Sequence, residues 1–309
     1  MPAPTPPEPG GRPAYELLEP VGPLTPFVLN SAHSGAAYPR AFLERSRLPP
    51  HALRRSEDVD VDALFAPAAA LGAPLLRAHF PRAFLDCNRE PYELDPRMFE
   101  GRLPPYANTR SARVASGLGT VARVVGDGQE IYAGKLSVEE GLARVETLYK
   151  PYHAALRRLL ERAERRFGLS VLVDAHSMPS SSFAPGQGSR ADRPARADVV
   201  LGDRYGTSAS PLLVEAFEAA FARRGYAVAR NRPYAGGFIT EHYGQPALGR
   251  HAVQIEINRD LYMDERTLAR GPGFAALTHD LAGVFADVMG GWREAPWARG
   301  GEERPLAAE

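Results

Sequence analysis

Apolar positions along the chain follow two rhythms. Short, nearly continuous runs at Phe27 to Leu29, Leu75 to Ala78, Ala83 to Leu85, Val171 to Val173, Val199 to Leu201, Tyr226 to Ala229 and Val253 to Ile257 predict strands covered on both faces, which need no polar alternation. Between them, spacings of three and four predict helices over about 61–72, 139–167, 210–224 and 265–289, and Gly168 and Gly225 end two of these. The alternation of strands with helices predicts a single α/β domain. Its mixed, mainly parallel sheet lies between helix layers, and binding residues collect where strands end and loops begin. Residues 1–23 hold most of a Pro/Gly cluster without apolar periodicity and predict a tail or a surface strap, 293–309 predict a C-terminal tail, and 24–292 is left as the domain.

Composition acts mainly by exclusion. A chain of 309 residues, 44% hydrophobic and 24% charged, can bury a sizeable core, which excludes disorder as its general state. Lys plus Arg number 37 and Asp plus Glu 37, so the net charge is zero and no overall field draws nucleic acid or an anionic membrane. No apolar run approaches the roughly 18 to 20 residues of a bilayer span, and Met1 leads into a Pro-rich stretch, so the protein reads as soluble and unexported. Cys87, the one cysteine, can build neither a disulfide framework nor a cysteine metal site, and the cytoplasm is the expected compartment.

The candidate chemistry follows the strands. Phe27-Val-Leu-Asn-Ser-Ala runs into His33-Ser-Gly, and Val171-Leu-Val-Asp-Ala runs into His176-Ser. Neutral imidazole is the commonest zinc ligand, and a catalytic zinc takes three protein ligands with one position open. The acidic run Glu57-Asp58-Val-Asp60-Val-Asp62 offers the third ligand, or else only a cap and charge complement for the helix that follows. Asn88-Arg89 sets an amide beside a planar, bidentate fork suited to a carboxylate, or is a turn Asn next to a surface Arg. Glu256 lies on an apolar strand with Gln254 and Asn258 on its face, where a carboxylate must be paired, hydrogen-bonded or tuned as a base for a metal-bound water. Arg123 is either a stabiliser of a developing oxyanion or an exposed turn residue.

His33-Ser-Gly, the SEDVDVD run from Ser56, DCNR from Asp86, DAHSMP from Asp174, Tyr234-Ala-Gly236-Gly237 with Thr240 and Tyr243-Gly244, and HAVQIEINRDLYMDE from His251 occur in this order. Together they resemble the N-formylglutamate amidohydrolase family over about residues 25–290. The resemblance implies a zinc-carboxypeptidase-like (phosphorylase/hydrolase-like) fold shared with aspartoacylases. It also implies one zinc ion per chain and hydrolysis of the amide of a small N-acyl amino acid, N-formylglutamate being the type substrate. His33 and His176 look like the metal histidines, Asn88 and Arg89 like the substrate-carboxylate clamp, Gly237, Thr240 and Tyr243 like substrate contacts, and Glu256 like the catalytic glutamate. The zinc relatives carry a metal Glu three residues after the first His, where this chain has Ala36, so Asp58 is taken as the acidic ligand, ahead of Glu57, Asp60 and Asp62. The stretch from Gly117 to Tyr132 resembles the broader family rather than the deformylase itself, which leaves the acyl group and the amino acid open.

Rival readings are a carboxypeptidase-like hydrolase of a peptide or cell-wall amide, with a longer groove, and a non-catalytic relic of the fold, which has no need of Glu256. Gly117-Leu-Gly-Thr-Val-Ala lacks the preceding strand that a dinucleotide fingerprint requires, and no G-x-S-x-G elbow marks Ser34 or Ser177 as a nucleophile. Cys87 reads as a small buried thiol and His153 as packing on Tyr149 and Tyr152.

Overall fold

Val171 to Val173 lies in the first half of a nine-residue strand, Ser170–Met178, whose every residue is buried. A computed structural model, which describes residues 13–126, 128–183 and 196–298, gives the elements in chain order. They are β1 (Tyr15–Leu18), β2 (Phe27–Ser31), α1 (Arg40–Arg45), α2 (Pro50–Arg54), α3 (Val61–Phe65), β3 (Leu75–Ala78), β4 (Phe99–Glu100), α4 (Ala112–Ala115), β5 (Leu136–Ser137), α5 (Val138–Arg144), α6 (Lys150–Phe167), β6 (Ser170–Met178), β7 (Val199–Gly202), α7 (Pro211–Ala222), β8 (Val228–Arg230), α8 (Phe238–Tyr243), β9 (Arg250–Asn258), β10 (Met263–Asp264), β11 (Ala269–Arg270) and α9 (Phe274–Gly290). Seven strands form the central sheet in the order β1-β3-β2-β6-β9-β7-β8. The β1–β3 and β9–β7 pairs are antiparallel and the other four are parallel.

The continuous apolar runs follow from burial on both faces. Phe27, Leu29, Val171, Val173, Val253 and Ile255 point into a core shared with α3, α7 and α9. Their neighbours Val28, Leu172 and Ala252 point into a second core, filled from α6 by Tyr152, Leu156, Leu159 and Leu160. The predicted single α/β domain with a mixed, mainly parallel sheet between helices is therefore the observed one. No helix among the described residues is long and apolar enough to cross a membrane.

Four sequence expectations are corrected. The tail over 1–23 ends sooner: Tyr15–Leu18 is an edge strand, because Tyr15 and Leu17 reach one core and Leu18 the other. The C-terminal tail begins later, since Trp297 is buried with its ring 5.8 Å from that of Phe27. Residues 1–12 and 299–309 of the two expected tails lie outside the described residues. Ala83 to Leu85 is a turn and not a strand, with the Phe84 and Leu85 amides both donating to Pro81 O. Over 265–289, helix forms only from Phe274: Gly271-Pro-Gly273 breaks the periodicity, and 263–270 folds instead into the β10–β11 pair.

Candidate active site

Parallel pairing brings the two histidines together. β2 and β6 run side by side with Asn30 opposite Asp174, so His33 beyond β2 and His176 near the end of β6 face each other with ring centroids 4.7 Å apart. On the other side of β6, the register with β9 sets Asp174 against Gln254 and His176 against Glu256. Gly35 permits the sharp exit after His33, since a side chain there would strike the backbone of His79 and Phe80. The acidic turn is pinned to that exit: the Asp58 amide donates to His33 O at 3.0 Å, and Asp60 takes the left-handed conformation, φ 60°, that turns the chain into α3.

Asp58 Oδ2 lies 2.9 Å from His176 Nδ1 and 3.4 Å from His33 Nδ1. One ligand atom from each of His33, Asp58 and His176 falls within 4.8 Å of the other two. Each imidazole is held from behind by a carboxylate: His33 Nε2 lies 2.7 Å from Asp86 Oδ1, and His176 Nε2 lies 3.0 Å from Asp174 Oδ2. Asp174 is itself fixed by Asn30 Nδ2 at 2.7 Å, and Tyr152 Oη donates to Asn30 Oδ1 at 2.5 Å. His33 Nδ1 is buried without a hydrogen-bond partner. An orphaned polar atom of this kind is costly in a folded protein unless a ligand binds it, and a metal ion suits this donor set.

The other acidic candidates are engaged elsewhere. Glu57 accepts from Tyr38 Oη at 2.5 Å and from Arg54, Asp60 takes a two-pronged contact from Arg270 at 2.9 Å, and Asp62 pairs with Arg77 at 2.9 Å. Asp58 Oδ1 is anchored by Arg259 Nη2 at 3.1 Å and Ser177 Oγ at 3.2 Å. Burial would raise the Asp58 carboxyl, but the hydrogen bond from His176 and the nearby His33 imidazole outweigh it and hold the group well below the usual carboxylate range. For Asp86, burial is likewise overcome, here by the charges of Arg89, His33 and Arg82. Burial works against protonation of His176, yet the charge and hydrogen bond of Asp174 hold its pKa well above the ordinary value. Glu256 behaves in the opposite sense: burial, reinforced by the charge of Asp58, pushes it up to about 7.

These groups line a cavity of about 480 Å³, within the size range of small-molecule sites. Glu256 accepts from Gln254 Nε2 at 2.8 Å, and Gln254 Oε1 in turn accepts the Gly237 amide at 2.8 Å. Gly237 must be small, because a Cβ there would run into the Asn88 amide. Arg89 lies in the same wall, 6% exposed, with Nε on Leu118 O at 2.9 Å and Nη1 on Asn88 O at 2.7 Å; burial lowers its pKa to about 10. The Asn88 side chain is committed to the scaffold, Oδ1 accepting from the Ile239 amide at 2.8 Å and Nδ2 lying 3.3 Å from Asp174 Oδ2.

Three expected site residues are not brought to this cavity. The Arg123 guanidinium is bound by Asp95 at 2.9 Å and Glu130 at 3.3 Å in a separate cavity, because the acidic Asp95 captures it. Thr240 is fully buried in α8 behind Gly236, and Tyr243 Oη bonds His153 Nδ1 at 2.9 Å. Asp86, Asp174 and Arg259 were quoted in the motifs without a role. The period of two on β6 was the available signal for Asp174, since it places that residue on the face of His176.

Comparison with known proteins gives the chain its relatives. The family model of N-formylglutamate amidohydrolase matches residues 25–263. An N-formylglutamate deformylase of Pseudomonas putida is 30% identical over 247 residues, 78% of this chain and 82% of that protein. The corresponding deformylase of Pseudomonas aeruginosa is 32% identical over 212 residues, 68% and 71% of the two chains. The crystal structure of N-formylglutamate amidohydrolase from Ralstonia eutropha JMP134 has a TM-score of 0.85 at 38% identity, covering 91% of this chain and 99% of that one. A gene product of Agrobacterium tumefaciens shares the fold, with a TM-score of 0.64 at 18% identity over 91% and 96% of the two chains. By motif order, site geometry and these matches, the chain belongs to the N-formylglutamate amidohydrolase family.

Proposed function

We propose that the protein is a zinc-dependent amidohydrolase of the cytoplasm that cleaves a small N-acyl amino acid of the N-formylglutamate type, releasing formate or another acid and the free amino acid. One observation carries this reading: two carboxylate-backed histidines, Asp58 and the buried Glu256 converge in one cavity whose wall holds the buried Arg89. His33 Nδ1, Asp58 Oδ2 and His176 Nδ1 would hold the metal, and Asp86 and Asp174 orient the two rings from behind, as the outer partners of zinc histidines do. Zinc bound there supplies Lewis acidity, lowering the pKa of a water and offsetting charge that develops on the acyl oxygen. Glu256 takes the proton from the attacking water and delivers it to the leaving amine nitrogen, while Gln254 keeps the carboxylate in place. Arg89 binds a substrate carboxylate through its guanidinium and so orients the scissile carbonyl. The test is formate release from N-formyl-L-glutamate by protein carrying about one zinc per chain, with activity lost on chelation and restored by zinc. Absence of formate release from the metal-replete protein, or undiminished turnover after the metal is removed, overturns the reading.

A further inference from the structure

The loop that carries Asn88 and Arg89 has no ladder of its own. It is held from a helix whose geometry is unusual. α5 and α6 are continuous through one π-helical turn, Val145–Tyr149. Pro151, at the second position of α6, explains it: proline lacks the amide that would bond Thr147 O, and its ring crowds that carbonyl, so the helix widens. At the end of this turn Tyr149 Oη donates to Arg89 O at 2.7 Å, and one turn further along α6 His153 Nε2 bonds Cys87 O at 2.9 Å. The two rings stack with centroids 4.2 Å apart. The carbonyl between these two, Asn88 O, is taken by Arg89 Nη1. Three consecutive carbonyls of the loop are thus satisfied by side chains, two of them from residues four apart on one helical face. His153 extends the brace to α8 through Tyr243, and the start of α8 meets the Asn88 side chain at the Ile239 amide.

We infer that Tyr149 and His153 are positioning residues for substrate binding, fixing the backbone on either side of Asn88 so that the Arg89 guanidinium is presented to the substrate carboxylate in one orientation. The inference rests on reading Arg89 as the carboxylate clamp. A bidentate contact tolerates little misplacement, so a loosened loop weakens binding while leaving Glu256 and the metal ligands where they are.

The experiment measures kcat and KM for N-formyl-L-glutamate, the calorimetric Kd of L-glutamate, and Tm, in the zinc-loaded wild type, Tyr149→Phe, His153→Gln, Arg89→Ala and the Tyr149→Phe/Arg89→Ala double variant. Tyr149→Phe is expected to raise KM and Kd about five- to twentyfold with kcat within about twofold of wild type, and to add less than about twofold once Arg89 is gone. His153→Gln is expected to shift KM in the same direction. Arg89→Ala with a raised Kd beside unchanged affinity in Tyr149→Phe and His153→Gln overturns the positioning role alone. An equal penalty with and without Arg89 also overturns it, because the effect is then general destabilisation. Unchanged affinity in Arg89→Ala overturns the clamp itself, and this inference with it.

Discussion

At the scale of the residue, Glu256 carries the strongest chemical demand. Its chain neighbours Ile255 and Ile257 are fully buried, and a lone carboxylate among them would be neutralised or expelled. What it has is one amide partner, Gln254, and a place in the cavity beside Asp58 and the histidines. A structural carboxylate is normally bonded to its cation, whereas the positive charges near Glu256, those of His176, Arg259 and Arg82, act on it through space and do not offset its burial. Glu256→Gln preserves shape and hydrogen bonding while removing the proton acceptor, so zinc content and KM should persist while kcat falls by about 10² to 10⁴-fold. Lower Tm with unaltered kcat per folded molecule would instead make the residue structural. The histidines and Glu256 were legible because each stands against its local pattern, imidazoles at strand exits and a carboxylate on an apolar strand. Asp58 blends into an acidic run and was singled out only through the family resemblance, with Ala36 standing where the relatives carry a ligand. Arg123 misled for the converse reason. Its partner Asp95 lies 28 residues back along the chain, and nothing local announces the pairing.

At the scale of the element, the helix over 138–167 followed from its periodicity, whereas the turn at 83–85 did not. An apolar run of three states burial without stating conformation, and Pro81 two residues earlier decided for a turn. The packing reading of His153 holds against Tyr149, at 4.2 Å, and extends to Tyr243 and Phe238. Burial lowers the His153 pKa from 6.5 to about 4; the hydrogen bond to Cys87 O opposes this, and the charges of His242 and Arg157 add to it. The unfolded chain therefore takes up a proton near pH 6.5 that the folded protein refuses until near pH 4. The stabilisation is present above pH 6.5 and is lost as the pH falls toward 4, by at most about 3 kcal/mol. Urea unfolding of metal-free protein between those limits should show this acid limb, and His153→Gln should flatten it. Equal slopes in the two proteins would mean that His153 titrates normally.

At the scale of the whole molecule, the mainly parallel sheet could be anticipated, but its two antiparallel joints could not. β9 lies between β6 and β7, and β1 closes one edge from a segment whose prolines suggested no strand, so long-range pairing decided both. That topology gathers the candidate ligands from three parts of the chain: a loop after β2, a turn before α3 and the end of β6. An unfolded chain cannot hold His33, Asp58 and His176 together, so metal binding selects the native state and adds RT ln(1 + [L]/Kd) to its stability. At free zinc about a hundredfold above Kd this is about 2.7 kcal/mol, which for a chain of this size raises Tm by roughly 4 to 5 °C. Zinc added to chelator-stripped protein should produce that rise in the wild type and in Asp60→Asn, whose carboxylate is bound by Arg270. The rise should vanish in His176→Ala and shrink strongly in Asp58→Asn. If Asp58→Asn keeps the full response and Asp60→Asn loses it, the acidic ligand is Asp60 and the turn must rearrange when metal binds. If none of the variants changes the response, the ion is held elsewhere.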